Sequence, residues 1–319
     1  MAEPEDAKGA GLTGWWAGKT EARAKFHAWW EGYEYAPADK AAPPPPPPKA
    51  ERPRARPTGK VIVKDSWPPE RVKVAQMVWG DGFSFPGGAD YAVELARDLA
   101  LGPHTRALDL GCGLGGGTRA VARSYGAVVE GWDLSPDLIV EGHGLSIREG
   151  IADRAPIDFL DIDRTAFAEK RYGAALVRNM LSLLSDKEAV LRKVASGLAP
   201  GAPFVLVEFC LGRADAHGEA LDAYRLGEAT APRLLTIQDL RMRIEAAGFA
   251  IVKAEDHSQA FAKVVLAGWA KIDALVKRGQ LDAKEGKALM GEAELWRRRL
   301  EAMRGGDLRA AKVLATRKI

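Results

Sequence analysis

A glycine-rich turn that follows a short apolar segment constrains the fold of this chain more than any other feature. Arg106–Leu110 has the pattern of a buried strand, five glycines occur within residues 111–117, and a helical pattern begins at Gly116. Glycine permits positive φ angles and lets a ligand lie against the backbone, while the start of a helix adds free N–H donors. The segment therefore predicts a nucleoside-type ligand at the carboxyl end of a strand in an α/β sheet.

The glycine spacing alone does not identify the ligand. Gly111, Gly113 and Gly116 have the G-x-G-x-x-G spacing that dinucleotide enzymes also carry. Asp109 lies two positions before the first glycine, where a carboxylate would repel a diphosphate and would pair, directly or through water, with a cationic aminoacyl group. The alternative for Asp109 is an acid that only holds the glycine turn.

Two further acids follow the next predicted strands. Asp133 lies where a carboxylate takes ribose hydroxyls, and its alternative is a cap for the helix that begins at Pro136, with Ser135 competing for that position. Asp161, with Ile162 beside it, is the candidate for contacts to an adenine ring. Acids are common at strand ends, so an ordinary loop position is the alternative there.

Strand-like and helical segments alternate from about Lys60 onward, which predicts an α/β fold with a Rossmann-like seven-stranded sheet and helices on both faces. The predicted strands are Arg106–Leu110, Val128–Trp132, Ile157–Leu160, Ala174–Arg178, Phe204–Phe209, Phe249–Ala254 and Ala311–Arg317. The predicted helices are Ala89–Leu99, Gly116–Tyr125, Asp137–Gly150, Asp186–Gly197 and Ile237–Ala247, with others between Ser258 and Arg304.

The sequence before this region predicts two additional segments. Residues 1–36 are rich in tryptophan, and residues 37–60 form a linker that contains six consecutive prolines, so residues 61–319 are the predicted main domain, with an N-terminal lid and a C-terminal helical cover. The tryptophan-rich segment is either a helical appendage docked on its own domain or a surface that binds a protein or the face of a membrane.

The composition argues against several classes of protein. A formal net charge of +3 does not require a nucleic-acid partner, and no Cys or His cluster has the spacing of a metal site. Two cysteines argue against a disulfide framework and favour a reducing compartment. No apolar run reaches the ~20 residues that span a bilayer, and the acidic N-terminus lacks the core of a signal peptide, so a cytoplasmic location is expected.

Several motifs resemble those of known enzymes. Leu108–Gly117, Gly131–Ser135 and Gly197–Gly201 resemble class I methyltransferase motifs, and Trp79–Gly88 extends a resemblance to phosphoethanolamine N-methyltransferases over residues 67–319. The resemblance implies S-adenosylmethionine as the cofactor. The predicted cofactor-binding set is Trp79, Ser84, Asp109, Gly111, Gly113, Gly115, Gly116, Asp133, Leu134, Asp161, Ile162 and Arg178.

The chain departs from that narrower family at its substrate site. Where the family carries an aromatic hydroxyl, a histidine, an aspartate, a tyrosine and two phosphate-binding residues, this chain has Trp67, Leu183, Asn179, Phe209, Thr230 and Pro232. Each replacement removes a charge or a hydroxyl group. The resemblance therefore implies the scaffold and the cofactor, and phosphoethanolamine is not expected as the substrate.

The remaining chemistry depends on a small set of residues. Asn179, Arg178 and Trp67 are the catalytic candidates, and the predicted pocket adds Trp79, Phe83, Phe85, Met180 and Phe209, whose aromatic faces favour a cationic product. The expected activity is methyl transfer to a small molecule or lipid headgroup, at an amine or alternatively at oxygen, sulphur or carbon. The competing hypotheses are an inactive cofactor-binding interaction module and an NAD(P)-dependent oxidoreductase.

Overall fold

The computed structural model describes residues 66–272 and 281–319, and these residues build one seven-stranded sheet in the order β3-β2-β1-β4-β5-β7-β6. The predicted tryptophan-rich segment, residues 1–36, and the proline-rich linker, residues 37–60, lie outside the described residues. The predicted main domain is described from residue 66 onward, apart from residues 273–280.

The strands confirm the predicted α/β fold. Strand β7 is antiparallel to both of its neighbours, and the pairs formed among β1 to β5 are all parallel. The strands are β1 (Arg106–Leu110), β2 (Val128–Asp133), β3 (Ile157–Phe159), β4 (Ala174–Arg178), β5 (Pro203–Leu211), β6 (Phe249–Asp256) and β7 (Leu308–Arg317). Strands β5 and β7 are both longer than predicted, and they pair with each other along the whole of β5, from Pro203 to Leu211.

The helices include two that the sequence analysis did not predict, α1 and α6. The helices are α1 (Pro69–Trp79), α2 (Gly88–Leu95), α3 (Gly116–Tyr125), α4 (Pro136–Arg148), α5 (Lys187–Gly197), α6 (Glu219–Gly227), α7 (Ile237–Ala246), α8 (Ser258–Trp269) and α9 (Ala283–Gly305). Short 3₁₀ turns occupy Arg97–Leu99 and Leu181–Leu183. Ser135 caps α4, since its side chain accepts a hydrogen bond from the Leu138 amide, so the cap is Ser135 and not Asp133.

The two faces of the sheet bury alternate residues of each central strand. In β4, Ala175 and Val177 belong to one core and Ala174 and Leu176 to the other, as the two-residue period of a strand requires. Helices α5 and α7 cover the first face, and α2 and α3 cover the second. Both faces of the central strands are therefore buried under helices, so a ligand can reach the sheet at the carboxyl ends of the strands.

A third core lies above those carboxyl ends and is built largely from aromatic rings of α1, α8 and α9. Trp79 packs edge-on against Trp269 and Trp296, with ring centroids 5.8 and 5.1 Å away. Trp79 is 5% exposed and does not line the adjoining cavity, so this predicted cofactor contact is a packing residue in the structure. The cluster joins the N-terminal helix to the C-terminal helical cover.

The described helices contain none that is long and apolar enough to cross a membrane. Cys112 and Cys210 are both buried free thiols. Within residues 66–272 and 281–319, no group of three or more His, Cys, Asp or Glu side chains is placed to hold a metal ion.

Candidate active site

A large cavity of about 800 Å³ opens at the carboxyl ends of β1, β2, β4 and β5. Its walls come from the glycine turn, from the segment between α1 and α2, from the loop after β4, and from α6 and α9. Such a volume is in the range of sites that enclose a small molecule and most of its surface. The sheet supplies one half of the cavity, and the helical cover supplies the other.

The glycine turn lines the floor of the cavity with bare backbone. Gly111 has a φ of 77°, and a Cβ atom there would stand 2.1 Å from the carbonyl oxygen of Arg178. Gly113 has a φ of 56°, and its Cβ atom would stand 2.2 Å from the Ser84 hydroxyl oxygen. A side chain at either position would collide with a neighbour, so the turn presents only backbone at the floor of the cavity.

The segment between α1 and α2 is fastened onto this turn. The Gly116 amide donates to the carbonyl oxygen of Gly82 over 2.9 Å, and the Leu114 amide donates to the Ser84 hydroxyl over 3.3 Å. Ser84 therefore lines the cavity and also holds the turn. Gly115, with a φ of 75°, is the N-cap of α3 and does not line the cavity.

Asp133, at the end of β2, brings a carboxylate to the side of the turn. Its Oδ2 accepts the Gly113 amide at 2.8 Å, and its Oδ1 accepts the Ser135 amide at 2.9 Å. Burial raises the pKa of Asp133, and these N–H donors oppose the shift. Each carboxylate oxygen keeps a second lone pair, so Asp133 can still accept hydroxyl groups of a ligand. Leu134 lines the cavity beside it.

Asp109 has a different partner from the one the sequence suggested. Its carboxylate receives Nε and Nη2 of Arg178 at 3.1 and 2.6 Å and the Thr118 hydroxyl at 2.6 Å. Asp109 is 1% exposed and does not line the cavity, whereas Arg178 does. Asp109 thus holds Arg178 at the cavity, and its predicted contact with a ligand ammonium, directly or through water, stays a prediction.

Asp161 and Ile162 lie outside the cavity lining. The Asp161 carboxylate accepts the amides of Asp163 and Arg164 at 3.0 and 3.2 Å, which closes a local turn. Ile162 packs against the core under the first face of the sheet. Their predicted contact with an adenine ring stays a prediction, and the contacts seen here are those of a loop after β3.

Asn179 follows β4 and combines two unfavourable features. Its φ of 46° lies in the left-handed region, which non-glycine residues adopt at a cost, although Asn tolerates it better than most. Its amide donates to the Val207 carbonyl over 2.8 Å, which fixes the residue against β5. Its side-chain Oδ1 is buried and has no hydrogen-bond partner within the described residues. Asn179 also lines the cavity, so a turn of its side chain would present this acceptor to a ligand donor.

Glu208 holds the loop that contains Asn179. Its carboxylate is 2% exposed and accepts the amides of Leu181 and Phe209 at 2.6 and 2.9 Å. Burial raises the pKa of Glu208 to about 6, and the N–H groups that it accepts oppose that shift. Nearby, burial lowers the pKa of Lys187 to about 8. The sequence analysis assigned no role to either residue.

The outer half of the cavity is aromatic. Phe83, Phe85, Phe209 and Trp296 line it, and the Phe85 ring lies 5.3 Å from Trp296. Trp67 lines the same half, with the Arg71 guanidinium 3.9 Å above its ring. The structure therefore brings together the predicted pocket residues Trp67, Phe83, Phe85, Arg178, Asn179, Met180 and Phe209, with Trp79 excluded.

Two ion pairs at the cavity were not predicted. Arg299 of α9 makes two bonds of 2.7 Å to Glu228, and its guanidinium carbon lies 4.4 Å from the centre of the Trp296 ring. Arg71 contacts Glu292 over 2.5 Å. These partners are separated by 71 and 221 residues in the sequence, so only the tertiary fold could reveal them. The positive charges of Arg299 and Arg71 are thus each paired with a carboxylate.

Comparison with known proteins adds to this geometry. Residues 88–254 match the family model described as a methyltransferase domain, which is more than half of the chain. Phosphoethanolamine N-methyltransferase 3 of Arabidopsis thaliana is 26% identical over 193 residues, which are 60% of this chain and 38% of the relative. Norajmaline N-methyltransferase of Rauvolfia serpentina is 28% identical over 114 residues, 36% of this chain and 39% of the relative. The chain thus spans well under half the length of these relatives.

Solved structures show the same fold. Phosphoethanolamine N-methyltransferase 2 of Haemonchus contortus, in complex with S-adenosylhomocysteine, superposes with a TM-score of 0.69 at 19% identity, covering 80% of this chain and 59% of that one. Geranyl diphosphate C-methyltransferase of Streptomyces coelicolor superposes with a TM-score of 0.59 at 16% identity, covering 78% and 98%. The match to the family model, the strand order and the glycine turn agree, and the chain belongs to the methyltransferase-domain family with the class I methyltransferase fold.

Proposed function

We propose that this chain is an S-adenosylmethionine-dependent methyltransferase that acts on a small molecule, with an amine as the expected acceptor. The observation that carries the proposal is the pairing of a bare glycine turn with the Asp133 carboxylate at the ends of β1 and β2. The turn has room only for backbone, and the carboxylate keeps lone pairs for ribose hydroxyls.

The residues present fit this cofactor better than a dinucleotide. A diphosphate binds to free backbone N–H groups at such a turn, and here the amides of Gly111, Gly113 and Gly116 already have acceptors. A ligand with a cationic sulphur and no phosphate makes no such demand. Asp133 and Leu134 would hold the nucleoside of the cofactor. The Nη1 group of Arg178, which does not bond to Asp109, would face the carboxylate of the cofactor's methionine part. Bound there, the cofactor supplies a methyl group that is already activated by its positive sulphur.

The chain itself supplies position and surroundings. Holding two reactants in line removes an entropic cost of about 7–11 kcal/mol in favourable cases. Asn179 offers a hydrogen-bond acceptor that would orient an N–H or O–H group, and the aromatic wall of Phe85, Phe209 and Trp296 would attract a methylated cation. The Arg299–Glu228 pair contributes no net charge, which supports an acceptor without a strongly bound phosphate.

The first experiment is isothermal titration of the full chain with S-adenosylmethionine and S-adenosylhomocysteine. We expect both to bind, and Asp133→Ala to weaken binding strongly. Asp158→Ala is the matched control, because Asp158 is an exposed acid on the neighbouring strand that does not line the cavity. Unchanged affinity in Asp133→Ala, or binding of NADH in place of the methyl donor, would contradict the proposal.

The second experiment measures transfer of a labelled methyl group to a panel of amines, phenols, thioethers and phosphorylated bases. Turnover of an amine supports the proposed acceptor, and turnover of another class corrects it. Cofactor binding with no turnover on any acceptor would favour the interaction module, for which the replaced positions Trp67 and Leu183 give a reason.

A further inference from the structure

A tyrosine of the cavity wall is hydrogen-bonded to a histidine on the far side of that wall. Tyr91, on α2, lines the cavity, and its hydroxyl oxygen lies 3.1 Å from Nε2 of His257. The two rings are stacked, with centroids 6.0 Å apart and planes 16° from parallel. His257 is partly exposed and lies outside the cavity lining, so the pair connects the interior of the site to the protein surface.

The histidine is held firmly by its backbone. His257 follows β6, its amide donates to the Ala310 carbonyl over 2.7 Å, and its own carbonyl accepts the Phe261 amide at 2.9 Å. Phe261 also packs against the Tyr91 ring, with centroids 6.4 Å apart. These contacts fix the His257 backbone against β7 and α8 and hold its ring attachment beside Tyr91.

We infer that Tyr91 and His257 form a proton path that carries the acceptor's proton from the cavity to solvent. This inference rests on the proposed methyl transfer, and it concerns an acceptor that has a proton to lose. A hydroxyl acceptor loses it as its lone pair attacks the methyl carbon, and an ammonium acceptor loses it before attack.

The step balances. The acceptor's O–H or N–H bond breaks and its proton goes to the Tyr91 oxygen, while the Tyr91 proton moves to Nε2 of His257. The imidazolium that forms releases its proton to water. The carbon–acceptor bond forms as the carbon–sulphur bond breaks, and the departing thioether keeps the electron pair of that bond.

The charges around the pair suit a relay. Burial raises the pKa of Tyr91 well above its ordinary value, and Arg178 partly offsets this, so the phenol stays protonated and passes a proton on. Burial lowers the pKa of His257 and Lys312 of β7 adds to the effect, while Glu255 and Asp256 of β6 oppose it. The imidazole is therefore neutral near pH 7 and can accept a proton.

The tautomer of His257 tests the direction of the hydrogen bond without any turnover. In the full chain labelled with ¹⁵N-histidine, the signal of His257 is assigned by its loss in His257→Asn. We expect the neutral ring to carry its proton on Nδ1, with Nε2 accepting from Tyr91, and Tyr91→Phe to release this preference. A proton found on Nε2 in the native chain would overturn the inference, because the ring would then be the donor.

Kinetics test the relay itself, with the acceptor that the panel identifies. We expect Tyr91→Phe and His257→Asn to lower kcat by about 100-fold, the low end for acid–base groups, and to abolish the acidic limb of the pH profile. Tyr125→Phe and His143→Asn are matched controls, because neither residue lines the cavity, and both should behave as the native chain does. Native turnover and pH profile in the two relay variants would overturn the inference.

Cofactor titration separates the two possible failures. Both relay variants should bind S-adenosylmethionine with native affinity, since neither Tyr91 nor His257 touches the glycine turn or Asp133. If the native chain itself binds no S-adenosylmethionine, the proposed function fails, and the proton path fails with it whatever the tautomer shows.

Discussion

The guanidinium of Arg178 lies across both carboxylate oxygens of Asp109, with Nε 3.1 Å from Oδ1 and Nη2 2.6 Å from Oδ2. The pair joins the ends of two neighbouring strands directly beneath the glycine turn. A Cβ atom on Gly117 would stand 2.4 Å from Nη1 of Arg178, so the turn and the guanidinium are packed against each other. The geometry of the turn thus depends on a charge pair and not on the glycines alone.

The two partners of this pair differ in burial, and their removal should differ in cost. The Arg178 side chain is 16% exposed and that of Asp109 is 2% exposed. We expect Arg178→Met to lower the free energy of unfolding by about 3–5 kcal/mol, because it leaves a buried carboxylate without its cation. Asp109→Asn should cost less, about 1–3 kcal/mol, because the guanidinium can reach water and Asn can still accept from Thr118.

Urea unfolding of both variants measures this difference. Arg164→Met is the control, since Arg164 faces Asp161 from a side chain that is 90% exposed, and it should change stability by less than about 0.5 kcal/mol. Equal costs for the two partners would show that the burial difference does not govern the pair.

Asn179 should be a residue that favours function at the expense of stability. Asn179→Gly removes both the left-handed strain and the buried, unpaired Oδ1, so we expect the free energy of unfolding to rise by about 1 kcal/mol. The same change removes the hydrogen-bond acceptor of the cavity, and KM for the acceptor molecule should increase. Thermal unfolding and steady-state kinetics of the same preparation measure the two effects.

Ala100→Gly is the matched control for Asn179→Gly. Ala100 has a φ of 49°, close to the 46° of Asn179, but it is exposed and lies outside the cavity lining. It should gain a similar amount of stability with no change in kinetics. A native KM in Asn179→Gly would exclude the proposed contact between Asn179 and the acceptor.

The strands were predictable because their signal is local. The continuous apolar run of Ala174–Val177 fills both faces of β4, and the predicted bounds of this strand and of β1 match the structure. Helix α1 was missed because its apolar residues, three of them valines, are spread around most of its circumference and give no clear helical stripe. Its burial depends on contacts with α9, which local sequence does not encode.

The site was predictable where a residue ends a strand or lies in a motif that resembles those of known enzymes. Gly111, Gly113 and Asp133 came from strand-end spacing, and all three line the cavity. The pairing of Arg178 with Asp109 was not predicted, because it depends on the strand register that places Asp109 beside β4. The contact between Tyr91 and His257 spans 166 residues and left no local pattern to detect.

Glu208 should make stability depend on pH in a predictable direction. Its pKa is raised from 4.5 to about 6 in the folded chain, so the folded state holds the proton more tightly than the unfolded state. Stability from this group is therefore present below pH 4.5 and is lost as pH rises through about 6. The shift corresponds to about 2 kcal/mol.

The measurement compares the native chain with Glu208→Gln, which cannot titrate at this position. As pH increases from 4.5 to 7, the free energy of unfolding of the native chain should fall by about 2 kcal/mol relative to the variant. A constant difference between the native chain and Glu208→Gln across this range would contradict the raised pKa.

The Arg299–Glu228 pair should couple strongly, in contrast to an exposed pair of the same type. Both side chains of this pair are 12% exposed, whereas those of Arg148 and Glu141 are 60% and 42% exposed. In a double-mutant cycle with methionine at each position, we expect a coupling energy of several kcal/mol, of the order of 3, for the buried pair. The exposed pair should give less than about 1 kcal/mol.

The double variant decides what the buried pair contributes. Replacing both partners with methionine removes two charges together, and such replacements are often neutral or stabilising by about 1–4 kcal/mol. If Arg299→Met combined with Glu228→Met unfolds at a native or higher urea concentration but loses turnover, the pair serves the chemistry of the cavity, because stability does not require it. If the double variant is as unstable as either single variant, the bidentate contact is instead a structural requirement of the cover that α6 and α9 form over the site.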